Sequence, residues 1–391
     1  MGTFPDISKN KGLVEISFGD IPVWNGVQKI PGVRKCLPMK LLAHKGPIVQ
    51  CASPQAIDDV VSTYKVDDYM FLTPPPGTSD WANSRGEVHL KTVEKLIADG
   101  VPSANILEIG AGSTWVAEKL REKYNPDSYV IMDPTIQGSA KNIEIIREYF
   151  PSPKIAGRHF DIILGFNVLE HVPDPVLFLR DAQKHLTDNG VVVLIYPDCE
   201  AQLLSGDINV FIHEHLTYFT EASSKWLASA CGFEIRSLVS ENDCFNLVLS
   251  RKLVELNEKF VLDESELLIK SVESFRCLLG KPKDKIVQCL EKGHTVGFHG
   301  ATNGLNIFLH MTGLGSHSNI YVYDGDISKK GLYLPACSSP IKHTLDIDYS
   351  SHSLMVISAM SFFDQICSFA IHEAGLEKSR LLPLVGLESM W

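Results

Sequence analysis

The sequence has no unbroken apolar run approaching the ~18 residues that a membrane-spanning helix needs, so no span is predicted. Positive charge is scarce: 36 Lys and Arg stand against 47 Asp and Glu, for a formal net charge of −11. Polyanion binding relies on clustered Lys and Arg that displace counterions, so nucleic acid is not expected as a partner. The nine cysteines contain no C-x-x-C pair and are read as reduced thiols of a cytoplasmic protein. The opening MGTFPDISKNKG has no signal-peptide core, and Asp6 stands where a myristoylation motif wants Ser or Thr. Nor does G-K-[ST] follow a glycine turn, which removes a P-loop.

What is present is ordinary globular material, 45% hydrophobic and 21% charged, in 391 residues. That length exceeds one hydrophobic core, so two or three units are expected. Residues 1–85 are read as a small, irregular amino-terminal domain, with proline and glycine spread through them and a PPPG break at Pro74 to Gly77. From Gly86 to about Lys252, strand-like runs alternate with helical ones. NILEIG, SYVIMD, FDIILGF and GVVVLIY are separated by helices predicted over Thr114–Tyr124, Ala140–Phe150 and Pro175–Leu186. A helix over Thr220–Cys231 follows, then FEIRSLV and FNLVLSRK as an antiparallel edge pair. Buried strands alternating with amphipathic helices predict an α/β, Rossmann-like domain with a mostly parallel sheet covered on both faces. Residues 253–293 read as a helical linker, a solvated helix pair, and 294–391 as a second, smaller α/β domain.

The stretch ILEIGAGSTW carries the chemistry. A strand ending in Gly110-Ala111-Gly112 bends sharply and brings a ligand against backbone that bears no Cβ. Dinucleotide folds place a third glycine where Trp115 stands, and an indole there disfavours NAD and FAD. A ligand with adenosine but no phosphate at the turn remains, and S-adenosylmethionine fits. Glu108 would attract its cationic end, and Asp133, at the end of the next strand, would accept hydrogen bonds from the ribose hydroxyls. FDIILGFNVLEHVPDP then carries Asn167, Leu169, Glu170 and His171 to the carboxyl edge of the sheet, where open α/β folds bind their ligands.

LEIGAG, Asp133 and FDIILGFNVLEHVPDP followed by LTDNGVVVLIYPD, in that order, resemble a class I S-adenosylmethionine-dependent methyltransferase. FIHEHLTYFT, with GFHGATNGLNIFLHM and YVYDGDISKKGLYLPACSSPI, is similar to sugar-nucleotide C-methyltransferases with their extra carboxyl-terminal domain. The resemblance implies S-adenosylmethionine as cofactor and a small-molecule acceptor, a ketosugar on a nucleoside diphosphate. It also implies proton removal beside the ketone and attack of the enolate on the methyl sulfonium. His215 matches the family's base and Glu214 the carboxylate that orients it or binds the sugar. His213, Tyr69, Tyr218 and His299 are the candidate acceptor contacts. In an extended segment His213 and His215 would share a face that Glu214 does not.

Departures from the family are as telling. Only Cys36 and Cys51 occupy the region where two cysteine pairs would hold a structural zinc, so zinc is not expected there. H-E-H offers two imidazoles for a metal, but the sequence identifies no third ligand, and no metal site is expected. Ile212 and Phe71 stand where the family places tyrosines. Two alternatives stay open: an O- or N-methyltransferase of another small metabolite, and a binding module that retains the fold. Trp81, Trp226 and Trp391 read as packing residues, and Lys329 and Lys330 as a solvated turn.

Overall fold

Alternating apolar and polar residues in LVEISFGDIP give a strand with one dry face, and Val14, Ile16 and Phe18 are the buried members. The computed structural model describes residues 6–10, 12–51, 75–78, 80–251 and 261–384. Its first unit is an antiparallel sheet of β1 (Asp6–Asn10), β2 (Leu13–Pro22), β3 (Cys36–Ala43) and β4 (Ile48–Gln50), in that order. Residues 6–50 of the segment expected to be irregular from its prolines and glycines therefore form a sheet. Period-two alternation outweighs the breakers, because Gly19 falls where the β2–β3 register shifts.

The second unit opens with α1 (Asp80–Ala98), β5 (Asn105–Ile109), α2 (Trp115–Tyr124), β6 (Ser128–Met132) and β7 (Glu144–Ile146). It continues through β8 (Phe160–Phe166), α3 (Pro175–Lys184), β9 (Leu186–Pro197) and α4 (Cys199–Ser205). The short β10 (Thr217–Tyr218) leaves this unit and pairs with β4, becoming the fifth strand of the first sheet. Then come α5 (Glu221–Ala230), β11 (Phe233–Glu241) and β12 (Cys244–Arg251). The sheet order is β11-β12-β9-β8-β5-β6-β7, parallel from β9 to β7 and antiparallel at β11 and β12, as the sequence predicts.

One predicted helix is absent: Ala140–Phe150 forms turns and the edge strand β7. Asn142 adopts a left-handed φ of 59°, which no helix interior accommodates. Side chains of β5 and β8 alternate between two apolar layers, Ile106, Ile162 and Leu164 on one face, Leu107 and Ile163 on the other. Both faces are thus covered, which explains the nearly continuous apolar runs.

Among the described residues the predicted linker holds one helix, α6 (Ser265–Glu291), whose apolar side is covered. Leu268, Val272, Phe275, Ile286 and Leu290 are buried in the same core as β2 and β3. Recurrence at helical spacing along α6 gives it an apolar stripe, and that stripe is covered. The third unit contains β13 (Val296–His299), α7 (Asn303–Thr312), β14 (Ile320–Asp324), β15 (Ile341–His343), β16 (Leu354–Ile357) and β17 (Leu381–Pro383). These strands form an all-parallel sheet, β15-β14-β13-β16-β17, with α8 (Phe363–Ser368) between the last two.

Candidate functional site

Strand order reverses at β5, which has β6 on one side and β8 on the other. The crevice beyond the carboxyl ends of β5 and β8 is the switch point where open α/β sheets bind ligands. Gly110 and Gly112 leave β5 with φ of 67° and 66°. A Cβ on Gly110 would lie 2.4 Å from Val168 Cγ2, and one on Gly112 3.1 Å from Pro75 Cβ, so the turn must stay bare. Asp133 binds the turn itself: its Oδ2 accepts from Gly112 N at 2.7 Å, while its Oδ1 accepts from Thr135 N, Thr135 Oγ1 and Ile136 N. Ala111 sits between the glycines and packs on the neighbouring apolar layer. Bare backbone, left-handed glycines and a buried acid beside them fit the adenosine and sulfonium portions of S-adenosylmethionine and offer no pyrophosphate cradle. Trp115 finds its space on the other side, against Gly77 and Gly86, where a Cβ on Gly86 would meet the indole at 2.7 Å.

Glu108 is buried and accepts a 2.7 Å hydrogen bond from the Tyr129 hydroxyl. Burial pushes its carboxyl up to about 7, against the opposing effect of that hydrogen bond. Asn167, at the end of β8, takes a left-handed φ of 55°. Leu169, fully buried, then begins a single 3-10 turn over Leu169–His171. That turn aims Glu170 and His171, which the sequence placed at the sheet edge without a role, at the H-E-H segment.

Residues 212–216 are pinned from two sides. Leu216 N donates to Glu170 O, Gln50 N donates to Leu216 O, and His215 N closes a turn onto Ile212 O. This turn defeats the extended geometry expected for His213 and His215, so the two imidazoles do not share a face. His213 Nε2 lies 3.2 Å from the Leu37 carbonyl in the first sheet, whereas His215 meets His171 with ring centroids 4.9 Å apart at 79°. The Glu214 backbone carbonyl lies 2.9 Å from His171 Nδ1. Burial drives His215 well below the usual histidine range, helped by the neighbouring His171, and holds His171 down to about 4. Burial also pushes the Glu170 carboxyl up to about 8.

The remaining candidates lie elsewhere or outside the description. Tyr218 is fully buried in the first sheet, its hydroxyl 3.7 Å from Met39 Sδ. His299 belongs to the third unit, 3.5 Å from the Tyr349 hydroxyl and close enough to Asp324 to feel its charge. Tyr69, Phe71 and Trp391 fall outside the described residues. Lys329 is not simply solvated: its Nζ lies 2.9 Å from Asp324 Oδ2, while Lys330 pairs with Asp346.

Two family models match stretches of this chain. The family model described as "Methyltransferase domain" matches residues 82–238, and that of the "C-methyltransferase C-terminal domain" matches residues 252–376. Among solved structures, the complex between the Haloferax volcanii Trm112 methyltransferase activator and a methyltransferase aligns at 14% identity and TM-score 0.36. It covers 50% of this chain and 89% of that one. An S-adenosylmethionine-dependent methyltransferase from Clostridium acetobutylicum aligns at 11% identity and TM-score 0.35, covering 43% and 92%. The CurJ carbon methyltransferase aligns at 15% identity and TM-score 0.35, covering 45% and 56%. No curated protein matches. No helix among the described residues is long and apolar enough to cross a membrane. The bare turn after β5, the acid after β6 and the two matched family models lead to one assignment: this enzyme belongs to the class I S-adenosylmethionine-dependent methyltransferases, with S-adenosylmethionine as cofactor and a C-methyltransferase C-terminal domain behind the catalytic one.

Proposed function

We propose that the enzyme methylates carbon beside the ketone of a small acceptor, a ketosugar carried on a nucleoside diphosphate. The observation that carries the carbon assignment is the C-methyltransferase C-terminal domain on the same chain. The base assignment is supported by the buried His215 at the carboxyl edge of the sheet, next to His171. A histidine whose burial keeps it neutral has a lone pair ready to accept a proton from carbon. S-adenosylmethionine supplies the electrophilic methyl group when bound. Gly110, Ala111 and Gly112 would hold it with Glu108, Asp133, Asn167 and Leu169. His215 would take the α-proton, and the pinning of residues 212–216 to β4 and Glu170 fixes where that imidazole stands. Such positioning is a large share of what an enzyme contributes to a two-substrate transfer. Glu214 would orient His215 or bind the sugar, whereas His213, turned to the Leu37 carbonyl, and His299, in the third unit, stand apart from that imidazole.

The test is methyl transfer from labelled cofactor to a panel of nucleoside-diphosphate ketosugars, with the labelled atom located by NMR. The expected product carries a new carbon–carbon bond, and His215→Ala lowers the rate by about 10²- to 10⁴-fold, the usual worth of a general base. In the presence of demethylated cofactor and D2O, the wild type should also exchange the acceptor's α-proton. Label on oxygen or nitrogen, or an undiminished rate in the variant, would sink the reading.

A further inference from the structure

We propose that Glu170, His171 and His215 form a binding site for a divalent first-row transition cation of the zinc type. The sequence offered two histidines of H-E-H and no third ligand. The fold instead discards His213 and brings the turn after β8 to His215, so that one ligand atom from each of the three residues lies within 4.8 Å of the others.

The protonation pattern follows from geometry. A backbone carbonyl only accepts, so His171 Nδ1, 2.9 Å from Glu214 O, carries the hydrogen and Nε2 keeps its lone pair. Nε2 faces Glu170 Oε1 at 3.8 Å. Neither oxygen of Glu170 has a hydrogen-bond partner although its side chain is only 1% exposed. Arg85 contributes positive charge nearby and donates to Cys244 Sγ, but it does not hydrogen-bond this carboxyl. A buried carboxyl whose oxygens have no partner is costly, and a cation that displaces the carboxyl proton satisfies those oxygens.

Two imidazoles and a carboxylate are a donor set that zinc and related ions favour. Tetrahedral ligands bonded at about 2.0 Å stand roughly 3.3 Å apart, so the ion would draw these atoms inward by about 1 Å. The Glu214 carbonyl already plays the outer-shell part, holding the His171 ring in the tautomer that coordinates. His171, 26% exposed, gives the ion its route from solvent. Three protein ligands leave a fourth position for water or an acceptor oxygen.

The site itself does not depend on the proposed reaction, but its consequence does. If His215 is the base, its lone pair cannot hold a metal and take a proton together, so zinc and turnover exclude each other.

The experiment titrates chelator-stripped full-length protein with zinc, by calorimetry and by metal analysis after gel filtration, and repeats it with cobalt(II). Expected are one ion per chain, cobalt d–d bands without thiolate charge transfer, and affinity lowered at least tenfold in Glu170→Gln and in His171→Gln. Thermal unfolding identifies any variant that fails to fold, and the nearly isosteric Glu170→Gln keeps the test decisive if His171→Gln does. Substoichiometric binding, binding unchanged in both variants, or a thiolate-dominated cobalt spectrum would overturn the site. Zinc at saturation should abolish methyl transfer, and faster turnover with zinc would overturn the exclusion. Should the acceptor prove different from a ketosugar, zinc stoichiometry stays the same, so the two readings fail separately.

Discussion

Asp133, proposed above to hold the cofactor, already has a structural duty. Four donors converge on it, one from the glycine turn, so the acid fixes the shape of that turn. Gly110→Ala tests the turn: a Cβ at φ 67° costs about 1–2 kcal/mol in backbone strain alone, and the clash with Val168 adds to it. The expected outcome is a lower melting temperature together with weaker cofactor binding by calorimetry. Glu108 gives a pH signature. Its carboxyl is raised to about 7 in the folded chain, so between its ordinary value of 4.5 and 7 the unfolded chain releases a proton that the folded chain keeps. Stability therefore falls as pH rises through that window, by on the order of 3 kcal/mol, and levels off above it. Glu108→Gln should flatten the slope in denaturant titrations at pH 4.5 to 7.5. Glu264, Glu170 and Asp207, raised to about 7, 8 and 6, add slopes of the same sign, and the depressed His89 and His171 add the opposite one, so the difference between wild type and variant is the quantity read.

At the scale of elements, α6 carries more than its composition suggests. Phe275 is fully buried, edge-on to Phe18 of β2 at 5.2 Å and tilted by 39° against Phe211 at 4.8 Å. Phe275→Ala is expected to cost about 3–5 kcal/mol, read from the midpoint of chemical unfolding. Long Glu- and Lys-rich helices look solvated in sequence because their apolar stripe is diluted, and only the surface opposite reveals whether the stripe is covered. The strands and the motifs β5–Gly110–Gly112 and β6–Asp133 were legible because each is local and periodic. The helix expected over Ala140–Phe150 was not, since a single left-handed Asn142 redirects the chain. His171 and Glu170 were visible as edge residues, but their meeting with His215 depends on a turn whose hydrogen bonds come from distant segments. Linear spacing holds no record of such a contact.

Across the whole molecule, two observations join distant parts. The stapled glycine turn occurs twice: Gly110 N donates to Met132 O and Gly112 N to Asp133, and in the third unit Gly300 N donates to Tyr323 O and Ala301 N to Asp324. The resemblance of EIGAG to GFHGATNG thus has a hydrogen-bonded counterpart. The first sheet, α6 and the third unit also share one apolar core, while the central sheet has its own two layers. Hydrogen exchange should therefore show β2, β3, β13 and β14 opening with free energies within about 1 kcal/mol of one another. Separate opening of the first sheet would show that the shared core does not couple them.

Finally, β10 lends its two residues to β4 immediately after His215. A lobe stitched to its neighbour by main-chain pairing cannot rock outward without tearing a strand from its own edge. The wall it forms beside His215, the proposed base, is thereby tied to the first sheet through its main chain.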